Sequence, residues 1–191
     1  MKIGLFGGSF NPVHTGHVAL ARQLLQTLAL DEVWLMLSPQ NPLKPAGSLL
    51  SDHIRLELLQ AALQGETGLK ACDYELHLPL PSYTWQTLQQ LEQDYPQHQF
   101  TLLIGADNWV IFHKWFRSDD ILRRYPIAIY PRPGIELESS QLPERVRLID
   151  ATLLDISSTA IRQRIALGQS ISGMVAPAVE QLIERYSLYR D

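Results

Sequence analysis

Apolar residues in this chain fall in short unbroken runs separated by stripes of helical period. Ile3, Gly4, Leu5 and Phe6 form one run, ended by Gly7 and Gly8. Val33, Trp34, Leu35, Met36 and Leu37 form a second. Residues 100–104 form a third, stopped at Gly105, and residues 127–130 a fourth, stopped by Pro131 and Pro133. Such runs are too short for helices and do not alternate, so they predict strands buried on both faces, as in a parallel sheet. Residues 69–78 and 146–154 also read as extended. Between the first two runs, Val18, Ala21, Leu24, Leu25 and Leu28 recur at helical spacing,. A second stripe over 52–64 places Ile54, Leu58, Leu59 and Ala62 on one face, and 84–92 reads as a third helix. Ser157, Ser158 and Thr159 offer N-caps for a helix over 160–167 that stops at Gly168. Pro177 suits the first turn of a last helix reaching about 186. Alternating strands and helices predict a Rossmann-like α/β fold: a doubly wound, mostly parallel sheet with helices on both faces and right-handed crossovers.

Composition narrows the class. A chain of 191 residues suits one domain, here expected to span 1–191. The net charge of -4 argues against a nucleic-acid partner, which a basic face would attract. No apolar run approaches the ~20 residues of a membrane helix, and the first residues show no leader peptide. A single cysteine, Cys72, excludes an internal disulfide framework. Together these give the expectation of a cytoplasmic protein with no membrane partner. They leave open whether the chain forms a homo-oligomer.

Four motifs bear on chemistry. The first is G-G-S-F-N-P-V-H-T-G-H, from Gly7 to His17. It follows the first strand and ends at a helix mouth. His14 and His17, three apart, face one side there, where backbone N–H groups and the helix dipole favour a phosphate. A histidine pair at this spacing is common by chance, and a zinc pair is another reading, though no third ligand stands out. The second is I-S-S-T-A-I-R, from Ile156 to Arg162. Its hydroxyls and guanidinium, one turn apart, could converge on a polyphosphate; an ordinary N-cap with a solvated arginine is the blander meaning. The third is G-A-D-N, Gly105 to Asn108, where Asp107 could accept two ribose hydroxyls or simply polarise a strand-end turn. The G-x-G-x-x-G dinucleotide fingerprint is absent. The fourth joins Pro81 to Thr84 with Trp109 and Trp115, aromatics able to stack on a planar heterocycle or to pack in a core.

Taken together, these pieces resemble the HxGH nucleotidyltransferase superfamily. The intermediate segments S-P-Q-N-P-L-K at 38–44, P-S-Y-T at 81–84 and G-A-D-N at 105–108 are similar to bacterial nicotinate-nucleotide adenylyltransferases over essentially the whole chain. The resemblance implies adenylyl transfer from ATP to nicotinate mononucleotide, a step of NAD biosynthesis. It also implies Mg²⁺ carried with ATP. It places Gly7, Gly8, Ser9, Phe10, His14, His17, Gly105, Asp107, Ile156, Ser157, Ser158 and Arg162 around ATP, with His14, His17 and Arg162 at the reacting phosphates. Asn41, Lys44, Thr84 and Trp115 fall on the acceptor side, and the helices over about 157–187 complete the ATP site. Leu43 stands where many relatives carry histidine. Phosphopantetheine or nicotinamide mononucleotide as acceptor, or a non-catalytic nucleotide-binding domain, are the competing readings.

Overall fold

The computed structural model describes residues 1–39 and 49–190. Six strands form one sheet: β1 (Lys2–Gly8), β2 (Glu32–Leu37), β3 (Leu69–Cys72), β4 (Gln99–Gly105), β5 (Ile127–Tyr130) and β6 (Val146–Leu148). Their spatial order is β3-β2-β1-β4-β5-β6, and every pairing is parallel. In register, Leu5 of β1 faces Trp34 of β2 on one side and Leu102 of β4 on the other. This all-parallel sheet explains the unbroken apolar runs. Along β2, Val33, Leu35 and Leu37 point into one core and Trp34 and Met36 into the other. A strand covered on both faces has no position to give to solvent.

Among the described residues, seven α-helices cover the faces. One core packs α1 (Thr15–Thr27), α2 (Asp52–Ala62), α6 (Ser158–Ala166) and α7 (Pro177–Arg185) through Leu24, Leu58, Ile161 and Val179. The other packs α3 (Thr84–Asp94), α4 (Ala106–Val110) and α5 (Ser118–Arg124) through Leu88, Ala106 and Ile121.

Three local expectations are corrected. Residues 69–78 are not one strand: β3 stops at Cys72 and a 3₁₀ turn covers Tyr74–His77. That turn buries Glu75, a polar residue. The extended run over 146–154 is a strand only at Val146–Leu148. Third, the polar string after β4 is helical: Gly105 is the N-cap of α4, a helix the apolar pattern does not announce because it buries only Ala106.

The sheet order reverses at β1. The chain winds outward through β2 and β3, then returns to place β4 on the opposite side of β1. Loops leaving β1 and β4 therefore diverge and open a crevice at the carboxyl edge, the place where open α/β sheets bind ligands.

Candidate active site

The loop after β1 enters that crevice and is shaped from several sides. Phe10 is buried at a left-handed φ of 44°. Such a conformation costs a bulky residue on the order of 1 kcal/mol or more and persists only where surroundings impose it. Its ring stands edge-on to Phe6, with centroids 5.9 Å apart, and to His17 at 5.1 Å. The carbonyl of Asn11 accepts from Arg162 Nη1 at 2.8 Å. The carbonyl of Pro12 accepts from the Ser158 hydroxyl at 2.9 Å, and Ser9 O accepts from Arg55 Nη1 at 2.7 Å. Near the chain's end, the Tyr189 hydroxyl donates to Asn11 Oδ1 at 2.9 Å.

The loop delivers two stacked imidazoles. His14 is the N-cap of α1, and the His14 and His17 rings lie 3.6 Å apart, tilted by 26°. Gly16 is what permits this: a Cβ there would stand 3.0 Å from His14 Nδ1 and 3.1 Å from Cε1. The His14 backbone N–H donates to His17 Nδ1 at 3.2 Å. That bond makes Nδ1 an acceptor, so the proton of neutral His17 resides on Nε2. Burial, with Arg132 adding to it, lowers the His14 pKa to about 4. Burial lowers His17 well below the ordinary imidazole range, with help from His14 and then Arg132. Both rings are thus neutral near pH 7. His14 Nδ1 is buried and has no hydrogen-bond partner among the described residues.

Across the crevice, Asp107 meets Arg132, Nε to Oδ1 at 3.3 Å. The approach is tight, since a Cβ on Gly105 would lie 2.8 Å from Arg132 Nε. The guanidinium also sits over Tyr130, 5.2 Å from the ring centroid. Arg132 was missed by sequence reading. Its signal was its place, just past a buried strand at the carboxyl edge.

The late motif folds as a capped helix. Ser157 Oγ accepts from the Ala160 N–H at 3.1 Å, so this hydroxyl serves α6 itself, and Ile156 is half-buried beside it. Arg162 Nη2 donates to Thr159 Oγ1 at 3.3 Å. With Nη1 on Asn11, this guanidinium is held at the rim of the β1 loop. Thr15 Oγ1 donates to Met174 O at 3.0 Å, joining the start of α1 to the segment before α7.

The remaining candidates gather on the other side. Thr84 opens α3, whose N-cap Tyr83 supplies no side-chain hydrogen bond to the first turn. The Tyr83 and Phe116 rings lie 5.0 Å apart, bringing the segments of Thr84 and Trp115 together, and the Trp115 ring lies 5.1 Å from that of Phe112, tilted by 40°. Gly7 and Gly8 end β1. Asn41, Lys44 and the Leu43 departure lie outside the described residues. Among the described residues no three His, Cys, Asp or Glu side chains converge as a metal-binding group, and no helix is long and apolar enough to cross a membrane.

Arg55 was also missed. The stripe reading put Ile54 on the buried face of α2; Arg55 is the fully buried residue, and Ile54 is only partly covered. A charge one step from an apolar stripe was the available signal.

Comparison with known proteins agrees with this geometry. Residues 5–164 match the cytidylyltransferase-like family model. A Bacteroides fragilis protein named probable nicotinate-nucleotide adenylyltransferase is 47% identical over 182 residues, 95% of this chain and 90% of its own length. One of the same name from Bacteroides thetaiotaomicron is 45% identical, covering 97% of this chain and 92% of the relative. The solved Plasmodium falciparum nicotinic acid mononucleotide adenylyltransferase complexed with NaAD superposes with a TM-score of 0.82 over 98% of this chain and 97% of its own. At 20% identity that likeness speaks for the fold alone. By family model and by near full-length relatives, this chain belongs to the cytidylyltransferase-like family and, within it, to the nicotinate-nucleotide adenylyltransferases.

Proposed function

We propose that this enzyme transfers the adenylyl group of ATP to nicotinate mononucleotide, giving nicotinate adenine dinucleotide and pyrophosphate for NAD biosynthesis. The observation that carries the reading is the neutral, stacked His14–His17 pair at the mouth of α1, with Arg162 and Arg132 converging on the same crevice. In the reaction, a 5′-phosphate oxygen of the mononucleotide attacks the α-phosphorus of ATP. The bond from that phosphorus to the β,γ-diphosphate breaks, and pyrophosphate leaves with the charge. No side chain needs to form a bond to phosphorus. The protein aligns the two nucleotides and stabilises charge as it moves to the leaving oxygen.

Each residue's task follows from its setting. His17 Nε2–H donates to a phosphate oxygen without first losing or gaining a proton. His14, buried, adds a second dipole on the same side. Arg162 and Arg132 supply permanent positive charge on opposite walls, and Asp107 takes the ribose hydroxyls of ATP. Gly7 and Gly8 leave backbone open to the nucleotide, and the start of α6 completes the ATP side. Magnesium fits as a companion of ATP. With no protein cage among the described residues, phosphate oxygens and water would supply its ligands,. When bound, it neutralises triphosphate charge. A metabolic enzyme using these pools works in the cytoplasm.

On the acceptor side, the first-turn N–H groups of α3 have no side-chain cap. They suit the nicotinate carboxylate, which accepts at both oxygens. A carboxamide would turn an NH₂ toward one of them, and an unmatched buried polar group costs ~1–3 kcal/mol. Stacking on Trp115 serves acid and amide alike.

The test is pyrophosphate release with ATP and, in parallel, nicotinate mononucleotide, nicotinamide mononucleotide and phosphopantetheine. The acid is expected to be favoured over the amide by at least about tenfold in kcat/KM, which is about 1.4 kcal/mol and lies within that energy range. Equal efficiencies would reject the acid assignment and leave adenylyl transfer standing. No turnover with any acceptor would reject the enzyme reading.

A further inference from the structure

The two halves of the crevice are joined beneath its floor by a buried polar chain. Arg55, fully buried on α2, uses all five of its N–H donors,. Nη1 donates to Ser9 O at 2.7 Å, in the β1 loop, and to Ser38 O at 3.0 Å, at the exit of β2. Nη2 donates to Pro39 O at 3.0 Å and to the Asp52 carboxylate, and Nε donates to Leu50 O at 3.1 Å. From the opposite side the Ser38 side chain hydrogen-bonds Glu75, itself buried. Glu75 Oε1 accepts from the Thr87 hydroxyl at 2.9 Å, and Thr87, fully buried, lies in the first turn of α3. Thr87 Oγ1 also approaches Tyr83 O at 3.3 Å, at the N-cap.

The chain of contacts therefore runs from Ser9 through Arg55, Ser38, Glu75 and Thr87 to the start of α3. Its ends are the loop that shapes the ATP side and the helix terminus on the acceptor side. Of the inner members, Arg55, Glu75 and Thr87 are withdrawn from water, where an unmatched donor or acceptor is costly, and Ser38 is half-buried,. Such a network holds one geometry, because any slip unpairs a buried group. Burial pushes the Glu75 pKa upward, and the hydroxyls of Thr87 and Ser38 act against that shift. This is the balance of a carboxylate retained for its hydrogen bonds.

We propose that Arg55, Glu75 and Thr87 are positioning residues that set the acceptor-binding terminus of α3 in register with the ATP-side loop. The inference rests on the proposed adenylyl transfer. It assigns the network a directional effect: Thr87, at the acceptor end, governs the acceptor alone, whereas Arg55, which grips Ser9 as well, governs both substrates.

Three variants test it: Thr87→Val, which keeps shape and removes the hydroxyl; Thr87→Ser, which restores it; and Arg55→Lys, which keeps the charge and loses the fork. Melting temperature and steady-state pyrophosphate release are measured with each substrate varied at saturating partner. Thr87→Val is expected to lower kcat/KM for the acceptor five- to tenfold with KM for ATP within twofold of wild type. Thr87→Ser is expected to recover most of the loss. Arg55→Lys is expected to weaken both substrates by fivefold or more. If Arg55→Lys does not fold, the Thr87 pair decides alone. A Thr87→Val enzyme with unchanged acceptor kinetics, or with ATP and acceptor impaired equally, overturns the proposal. Wild-type protein in the same assay separates the two readings. If it releases no pyrophosphate with nicotinate mononucleotide, the acceptor assignment fails, and the same ratios are read with whichever of nicotinamide mononucleotide or phosphopantetheine turns over.

Discussion

Gly16→Ala is the smallest change that should separate catalysis from folding in this protein. The added Cβ would stand 3.0 Å from His14 Nδ1 and 3.1 Å from Cε1, where ordinary contact begins near 3.4 Å. The ring must therefore give by about 0.4 Å. It has little freedom to do so, because the His17 ring is stacked 3.6 Å behind it and the residue is buried. A misplacement of ~1 Å at a reacting centre can cost ~10²-fold in rate. Scaled in proportion to the logarithm, the smaller shift costs roughly five- to tenfold in kcat. Stability moves less. Alanine in the first turn of α1 gains up to ~1 kcal/mol in helix propensity, against about 1–3 kcal/mol for overpacking. The net loss of about 0–2 kcal/mol lowers Tm by less than about 8 °C at this chain length. Steady-state pyrophosphate release and a thermal melt read the two effects separately. A kcat within twofold of wild type would show that His14 is not held where its chemistry requires. A large fall in Tm with kcat preserved would show that Gly16 serves folding alone.

Other expectations follow from the same geometry. His17→Ala removes the Nε2–H donor and should lower kcat by ~10²–10³; a correctly folded variant within threefold of wild type would end the proposed role. Arg162→Lys should raise KM for ATP or lower kcat more than it affects acceptor affinity, since an ammonium cannot span Asn11 and a phosphate as the guanidinium does,; equal losses for both substrates would count against this placement. His14, lowered to about 4 in the fold against about 6.5 in an unfolded chain, binds its proton first in the unfolded state. Its contribution to stability is therefore whole above about pH 6.5 and lost as pH falls toward 4, roughly 3 kcal/mol across that window at 1.36 kcal/mol per pH unit. Urea titrations at pH 7.5 and 4.5 should show a smaller difference for His14→Gln than for wild type; identical differences would refute the assignment. Adding a chelator should abolish turnover and leave the Tm of the ligand-free protein unchanged; a substantial fall in Tm would point instead to a structural metal at His14 and His17.

The alternation of short apolar runs with helical stripes, with cap and proline signals near the end, was enough to determine the sheet, most of its strands and five of the seven α-helices among the described residues. The reason is local: a strand buried on both faces has a continuous apolar run, and a helix on its surface has a stripe. The H-T-G-H and I-S-S-T segments were legible for a similar reason, since turn, cap and helix start are set within a few residues. What sequence alone left out were contacts between segments distant along the chain. The one local signal at Arg55, a charge beside an apolar stripe, fits a solvated helix arginine equally well; its role exists only because Ser9, Ser38, Pro39 and Leu50 turn their carbonyls toward it. Glu75 sits in a turn within the run over 69–78 that reads as extended, and Thr87 becomes a partner only when α3 packs there. Arg132 faces the histidines because β5 lies next to β4, a neighbour relation decided by sheet order. The neutrality of His14 and His17 is likewise tertiary, since an imidazole's pKa follows from the burial and the positive charge around it,. Sequence determined which groups could carry the chemistry; packing decided their protonation, their aim and what holds them still.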